Sequence, residues 1–316
     1  MMRKVLITGG FGYLGGRLAQ FLASQDNYKI LLGSRRQTQP PPWLQQAEVV
    51  ETRWGSLKYL EEVCSGVDAI VHLAGMNAQD CAADPEAALE VNAIATTRLL
   101  QAAICQKVKR FIYMSTAHVY GSSLGGDITE KTNPTGVHPY ASSHRAGEDA
   151  VSQFREIEGV VIRLSNAYGT PVDKDVNCWM LLVNDLCRQA VISGRLVLRS
   201  SGFQKRDFIP LHDVTRAIKH CIERPVDKSD NGIFNLGGEA PYSIIDLAEL
   251  IAVRSEAVLG YKPQIERPSP ILGENFRELN YQINKLKETG FCLNGNIEDE
   301  IDATLEFCHK NFKKLI

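Results

Sequence analysis

The chain has 316 residues, 44% of them apolar and 23% charged, with 35 Lys and Arg against 37 Asp and Glu for a formal net charge of −2. That length accommodates one large α/β unit with an added lobe, or two small domains. The near-neutral balance gives no electrostatic reason to expect nucleic acid or an anionic membrane as a partner, so any anion site must be built locally from placed arginines and backbone N–H groups.

Met1-Met2-Arg3-Lys4 leads straight into Val5-Leu6-Ile7, an apolar run too short for a signal h-region or a membrane span. The eight cysteines (Cys64, Cys81, Cys105, Cys178, Cys187, Cys221, Cys292, Cys308) are scattered, with no C-x-x-C pair. That spacing argues against a zinc ribbon or a disulfide framework and predicts a cytoplasmic protein with reduced thiols and no metal.

Strands are predicted at Lys4–Thr8, Lys29–Ser34, Glu48–Arg53, Ala69–Leu73, Arg110–Ser115 and Val160–Ser165. Helical spacing separates them: Leu14, Leu18, Phe21 and Leu22 make one apolar stripe, and Leu89, Ala93, Thr96, Leu99, Leu100 and Ala103 another. Alternating strand and helix predicts an α/β fold, a Rossmann-type doubly wound parallel sheet that binds ligands at the carboxyl ends of its strands. Gln37–Pro42 reads as a stiff loop and Gly121–Pro139 as a long surface loop. Residues 1–170 are read as a dinucleotide-binding domain whose sheet is completed by residues around 205–238, with Ile233–Leu236 as a returning strand. Residues 171–316 are read mainly as a smaller C-terminal substrate-binding lobe interleaved with the first.

Thr8-Gly9-Gly10-Phe11-Gly12-Tyr13-Leu14-Gly15 falls where the first strand meets the first helix. Gly9, Gly12 and Gly15 allow a tight turn, close approach of a pyrophosphate, and packing of the helix on the sheet, with free N–H groups of the helix N-terminus facing the phosphates. The second strand ends Gly33-Ser34-Arg35-Arg36, without the acid that would bind a ribose 2′-hydroxyl. Arg35 and Arg36 suit a 2′-phosphate, so NADP is favoured over NAD; the alternative is that both merely solvate a loop. Thr116, after the fifth strand, and Tyr140, opening a helix, suit carbonyl–alcohol redox chemistry. In it a phenol exchanges the alcohol proton while a hydride passes to or from a nicotinamide.

The Gly-rich turn, His72-Leu73-Ala74-Gly75, Asn92, the Ser115–Gly121 segment and Tyr140 together resemble the extended short-chain dehydrogenase/reductase superfamily, in its NAD-dependent epimerase/dehydratase branch. Arg163-Leu164-Ser165-Asn166-Ala167-Tyr168-Gly169 is similar to its R-x-x-N-x-Y-G element, and Arg206–Val214 to R-D-F-I-x-V-x-D-V. Asn235-Leu236-Gly237-Gly238 is similar to N-x-G-x. The resemblance implies a homodimer, a nucleotide-diphosphate sugar substrate, and a cofactor held by Gly9, Gly12, Tyr13, Leu14, Gly15, Leu73, Ala74, Gly75, Asn92, Tyr140 and position 144. It implies a substrate site with Thr116, His118, Asn166 and Arg206, and also Asn177 and Arg267, the last weakened by the absence of a following acid.

Two positions depart from the family. The dehydratases follow the hydroxyl residue with Asp-Glu, whereas Thr116 is followed by Ala117-His118, so a dehydratase mechanism loses both carboxylates. His118 stands where relatives place an acid or base, and is otherwise a loop histidine satisfied by its neighbours. Tyr-x-x-x-Lys becomes Tyr140-x-x-x-His144: the helical spacing keeps position 144 on the face of Tyr140, but a neutral imidazole supplies no charge to lower the phenol pKa. The expectation is therefore an epimerase or keto-sugar reductase using Tyr140 as acid/base. Alternatives are a catalytically weakened NAD(P)-binding module and an oxidoreductase of a non-sugar alcohol.

Overall fold

Seven parallel strands form one sheet in the computed structural model of the chain, which describes residues 2–122, 124–225, 231–270 and 277–313. Across the sheet they run Ile233–Leu236, Glu158–Leu164, Arg110–Thr116, Ala69–His72, Arg3–Thr8, Tyr28–Ser34 and Glu48–Glu51. The order reverses direction between the strands Arg3–Thr8 and Ala69–His72, and such a reversal opens a crevice at the carboxyl ends. The sheet reads as continuous apolar runs because both faces are covered. Ile7, Ile112 and Ile162 pack on one side with the helix Tyr13–Ala23; Leu6, Phe111 and Val161 pack on the other with the helix Ala95–Cys105.

Of the described residues around 205–238 expected to complete this sheet, only Ile233–Leu236 does so, in register with Val161–Leu164. Lys205–Pro210 instead pairs parallel with Asn166–Tyr168 and antiparallel with Pro241–Ser243. The chain leaves the main sheet at Ser165 and extends its strand direction into this second, three-stranded sheet. The Gly121–Pro139 loop is less irregular than expected, because Gly126–Ile128 pairs with Leu279–Tyr281.

A third core holds the C-terminal lobe, with Tyr168, Leu186, Phe208, Leu247, Ile251, Ile301 and Leu305 buried between the helices Leu182–Ser193, Ile244–Leu259 and Ile297–Phe312. The lobe is clamped to the first helix by Glu300, which accepts from Arg17 Nη1 at 2.8 Å and from the backbone N–H groups of Thr170 and His212. Under the sheet's carboxyl edge, Glu148 pairs with Arg163 at 2.6 Å, both almost fully buried. Ser115 donates to the same carboxylate at 2.5 Å, and Arg163 donates to Tyr120. Such a pair is tolerable in a dry interior only when its remaining hydrogen-bond capacity is filled, as here. No helix of the described residues is long and apolar enough to cross a membrane.

Candidate functional site

The Gly-rich turn is shaped by backbone proximity. Gly9 lies at φ +67, where a Cβ would also press on the backbone of Leu73 and Ala74 at 2.9 Å, and a Cβ at Gly15 would collide with the Gly9 carbonyl. The helix then starts at Tyr13 behind Gly12, with no side chain capping its first N–H groups. A backbone cradle with free donors and no obstructing side chain fits a pyrophosphate. Leu14 and Leu73 pack against the main core rather than projecting outward. Tyr13 contributes its backbone to the turn, but its phenol donates to Gly169 O at 2.8 Å and approaches Asn184 Oδ1, so the side chain ties the lobe to the first helix. Arg35 and Arg36 lie exposed just beyond the second strand.

Asn92 is fully buried in a π-helical turn, Glu90–Ile94, between two α-helical stretches. Its Oδ1 accepts the Met76 N–H at 2.9 Å and its Nδ2 donates to Ser143 Oγ at 3.0 Å. It therefore braces the Leu73–Gly75 loop against the helix Pro139–Gln153 from beneath.

That helix is opened by Pro139 at its first turn and by His138, whose Nδ1 accepts the Tyr140 N–H. Tyr140 and His144 stack one turn apart, their rings edge to face at 4.6 Å between centroids, and His118 lies 6.0 Å from the Tyr140 ring. Thr116 accepts the His118 N–H at 3.1 Å. Burial raises the Tyr140 pKa above that of an ordinary phenol, and hydrogen bonding from Thr116 pulls it partly back. His144 is buried and its pKa falls to about 4 through desolvation, with a smaller contribution from His118. It is therefore uncharged at neutral pH. His118 is exposed to solvent, yet partial desolvation, then the charge of Arg206, lowers its pKa too.

A narrow cleft opens beyond the strands Arg110–Thr116 and Glu158–Leu164. His118, Asn166, Gln204, Arg206 and Asp207 line it. Asn166 is fixed by donating to Asp207 O at 2.8 Å. Arg206 is half-buried and reaches only Gln204 Oε1, at 3.3 Å, among the described residues; it forms no ion pair with Asp207 or Asp213. Burial lowers its pKa, the mark of a cation short of counter-charge. Asp207 is held by the Gly238 N–H at 2.9 Å, and burial lifts its pKa to about 6.

Asn177 is exposed on the loop after the second sheet, and Arg267 turns to Ser201 O at 2.5 Å and the Phe203 ring, so neither lines the cleft. Sequence reasoning missed Tyr113, whose hydroxyl sits 3.0 Å from His144 Nδ1. A signal existed: Tyr113 and His72 are register partners on adjacent strands, which places two polar side chains on one otherwise apolar face.

The family profile described as NAD dependent epimerase/dehydratase matches residues 5–237. Among curated proteins, an uncharacterized UDP-glucose epimerase of Bacillus subtilis is 25% identical over 289 residues, covering 86% of this chain and 87% of that one. A dTDP-D-glucose 4,6-dehydratase of Mus musculus is 26% identical over 344 residues, covering 98% and 90%. Among solved structures, the UDP-N-acetylglucosamine 4-epimerase of Methanobrevibacter ruminantium superposes with a TM-score of 0.81 at 21% identity over 97% of this chain and 98% of that one. The UDP-glucose 4-epimerase of Thermotoga maritima gives 0.80 at 22% identity over 97% and 99%. These two likenesses establish the fold.

Proposed function

Given that this chain belongs to the NAD dependent epimerase/dehydratase family, we propose that it is a nucleotide-sugar epimerase or keto-sugar reductase with NADP favoured over NAD. The observation that carries the reading is that Tyr140, hydrogen-bonded to Thr116, lies beside His118, and that His118 lines one cleft at the sheet's carboxyl edge together with Arg206, which has no ion pair among the described residues. When bound, the dinucleotide would supply or accept the hydride. Gly9, Gly12 and Gly15 would hold its pyrophosphate, Ala74 and Gly75 would flank it, and Arg35 and Arg36 would meet a 2′-phosphate.

Tyr140 exchanges a proton with the sugar oxygen at the reacting carbon, and the Thr116 hydroxyl hydrogen-bonds the same oxygen. Since the Tyr140 pKa is raised and His144 carries no charge, the phenol stays protonated at neutral pH. A protonated phenol donates more readily than it accepts, which favours reduction of a ketone over oxidation of an alcohol. Arg206 binds the diphosphate, because its fork gains most where no carboxylate already neutralises it. His118 stands at the edge of the sugar subsite, able as a neutral imidazole to take a carbon-bound proton. Lacking the Asp-Glu pair after Thr116, the site offers no carboxylates for dehydration there.

The uncharged His144 favours a second reading, a NAD(P)-binding module with weakened chemistry. The two separate on Tyr140→Phe, expected to lower turnover by roughly two to four orders of magnitude in an enzyme. A thermal-shift panel of NAD, NADP, UDP, GDP and CDP identifies the ligands, since a tight ligand raises the melting point. No stabilisation by any nucleoside diphosphate would overturn the sugar-nucleotide reading. The homodimer belongs to the same proposal: Leu89 and Ile94 are exposed on the helical stretch before Ala95.

A further inference from the structure

Beneath the Tyr140 helix lies a buried chain of hydrogen bonds whose proton positions can be followed from one end to the other. The Ala74 N–H points at Thr8 Oγ1, 3.3 Å away, and Thr8 Oγ1 lies 2.6 Å from His72 Nδ1. His72 Nε2 lies 3.0 Å from Thr96 Oγ1, which donates to Asn92 O at 2.9 Å. Because the Thr96 proton is used on Asn92 O, His72 Nε2 must be the donor to Thr96. His72 Nδ1 then accepts from Thr8.

Tyr113 joins the same carbonyl from the other side. Its hydroxyl lies 3.1 Å from Asn92 O and 3.0 Å from His144 Nδ1. A phenol has one proton. If it went to Nδ1, the phenol oxygen would have no donor of its own among the described residues. If Nδ1 carries the proton, the phenol accepts from it and donates to Asn92 O, and both buried groups are satisfied. His144 is held neutral by burial, so only one of its nitrogens is protonated.

We propose that Tyr113 is a positioning residue that fixes His144 as the Nδ1–H tautomer and leaves a lone pair on Nε2. Nε2 has no hydrogen-bond partner among the described residues. Cε1, the carbon between the two nitrogens, faces Gly75 on the dinucleotide side of the site. The consequence, which rests on the function proposed above, is a reversed hydrogen bond. A lysine at this position would donate, whereas His144 accepts, and the group it takes is a hydroxyl such as that of a nucleotide ribose.

The test is nitrogen NMR of the full-length protein labelled in its seven histidines, with the His144 signals identified by their loss in His144→Gln. The expected wild-type pattern has a pyrrole-type Nδ1 and a pyridine-type Nε2, and Tyr113→Phe should move the ring toward the opposite tautomer. A protonated Nε2 in the wild type would overturn the proposal, and so would an unchanged tautomer in folded Tyr113→Phe. Should Tyr113→Phe not fold, the wild-type spectrum alone decides. Titration with NADPH and NADH then tests the ligand: a shift of Nε2 to lower frequency, as for an accepted hydrogen bond, supports the acceptor role. If the tautomer is as expected but neither dinucleotide moves Nε2, the cofactor reading of the site fails while the role of Tyr113 stands.

Discussion

Restoring a cation at position 144 measures what the histidine costs this site. In His144→Lys the ammonium would replace a neutral ring that lies edge to face with Tyr140. A unit charge ~6 Å from the phenolate oxygen, at an effective dielectric of about 20, is worth about 3 kcal/mol, or roughly two pKa units. The same burial that lowers the His144 pKa would penalise the ammonium, so the net fall in the Tyr140 pKa is expected at about one to two units. The assay is the pH dependence of kcat/KM in the direction of alcohol oxidation, where Tyr140, as the proposed base, must be deprotonated to act. Its alkaline-rising limb should move down by that amount in His144→Lys relative to wild type. His144→Gln, which removes the ring without adding charge, should leave the limb in place. Coincident limbs in the two variants would refute the electrostatic reasoning. A collapse of activity in both, with the fold and dinucleotide binding intact, would show that the imidazole has a role of its own.

The two buried histidines also predict acid lability. His144 and His72 have pKa values lowered to about 4 and about 3, mainly by desolvation. The unfolded chain therefore binds protons below about pH 6.5 that the folded chain refuses, and stability falls as the pH drops from there. At pH 5 each should cost about 2 kcal/mol, while Asp207, raised to about 6, returns about 1 kcal/mol because its folded form protonates first. Urea midpoints at pH 7 and pH 5 check this, and a midpoint rising on acidification would refute it. Changing Arg35 and Arg36 to alanine should weaken NADP binding at least tenfold more than NAD binding by calorimetry; equal loss would show that neither reads a 2′-phosphate. Light scattering at micromolar concentration should give a dimer mass, and Leu89→Glu with Ile94→Glu should shift it to monomer.

The sequence by itself determined the sheet, the turn and the positions at which to look. Alternating apolar runs locate the six strands predicted before Pro171 to within a few residues, because the periodicity of a buried strand or an amphipathic helix is a local property. The Gly9–Gly15 spacing, Thr116, Tyr140 and the missing lysine at His144 are equally local. The direction of side chains was not. Tyr13, expected only at the cofactor, spends its phenol on Gly169 and Asn184, and Asn92 spends its amide beneath the loop. Lys205–Pro210 lies outside the main sheet because the register partners of Phe208–Pro210, Asn166–Tyr168, have already left it. Only the tertiary structure brought Tyr113 to His144 across 31 residues of chain and left Arg206 without a carboxylate among the described residues. A hydrogen bond between distant residues is decided by which faces pack together, and no spacing along the chain encodes it.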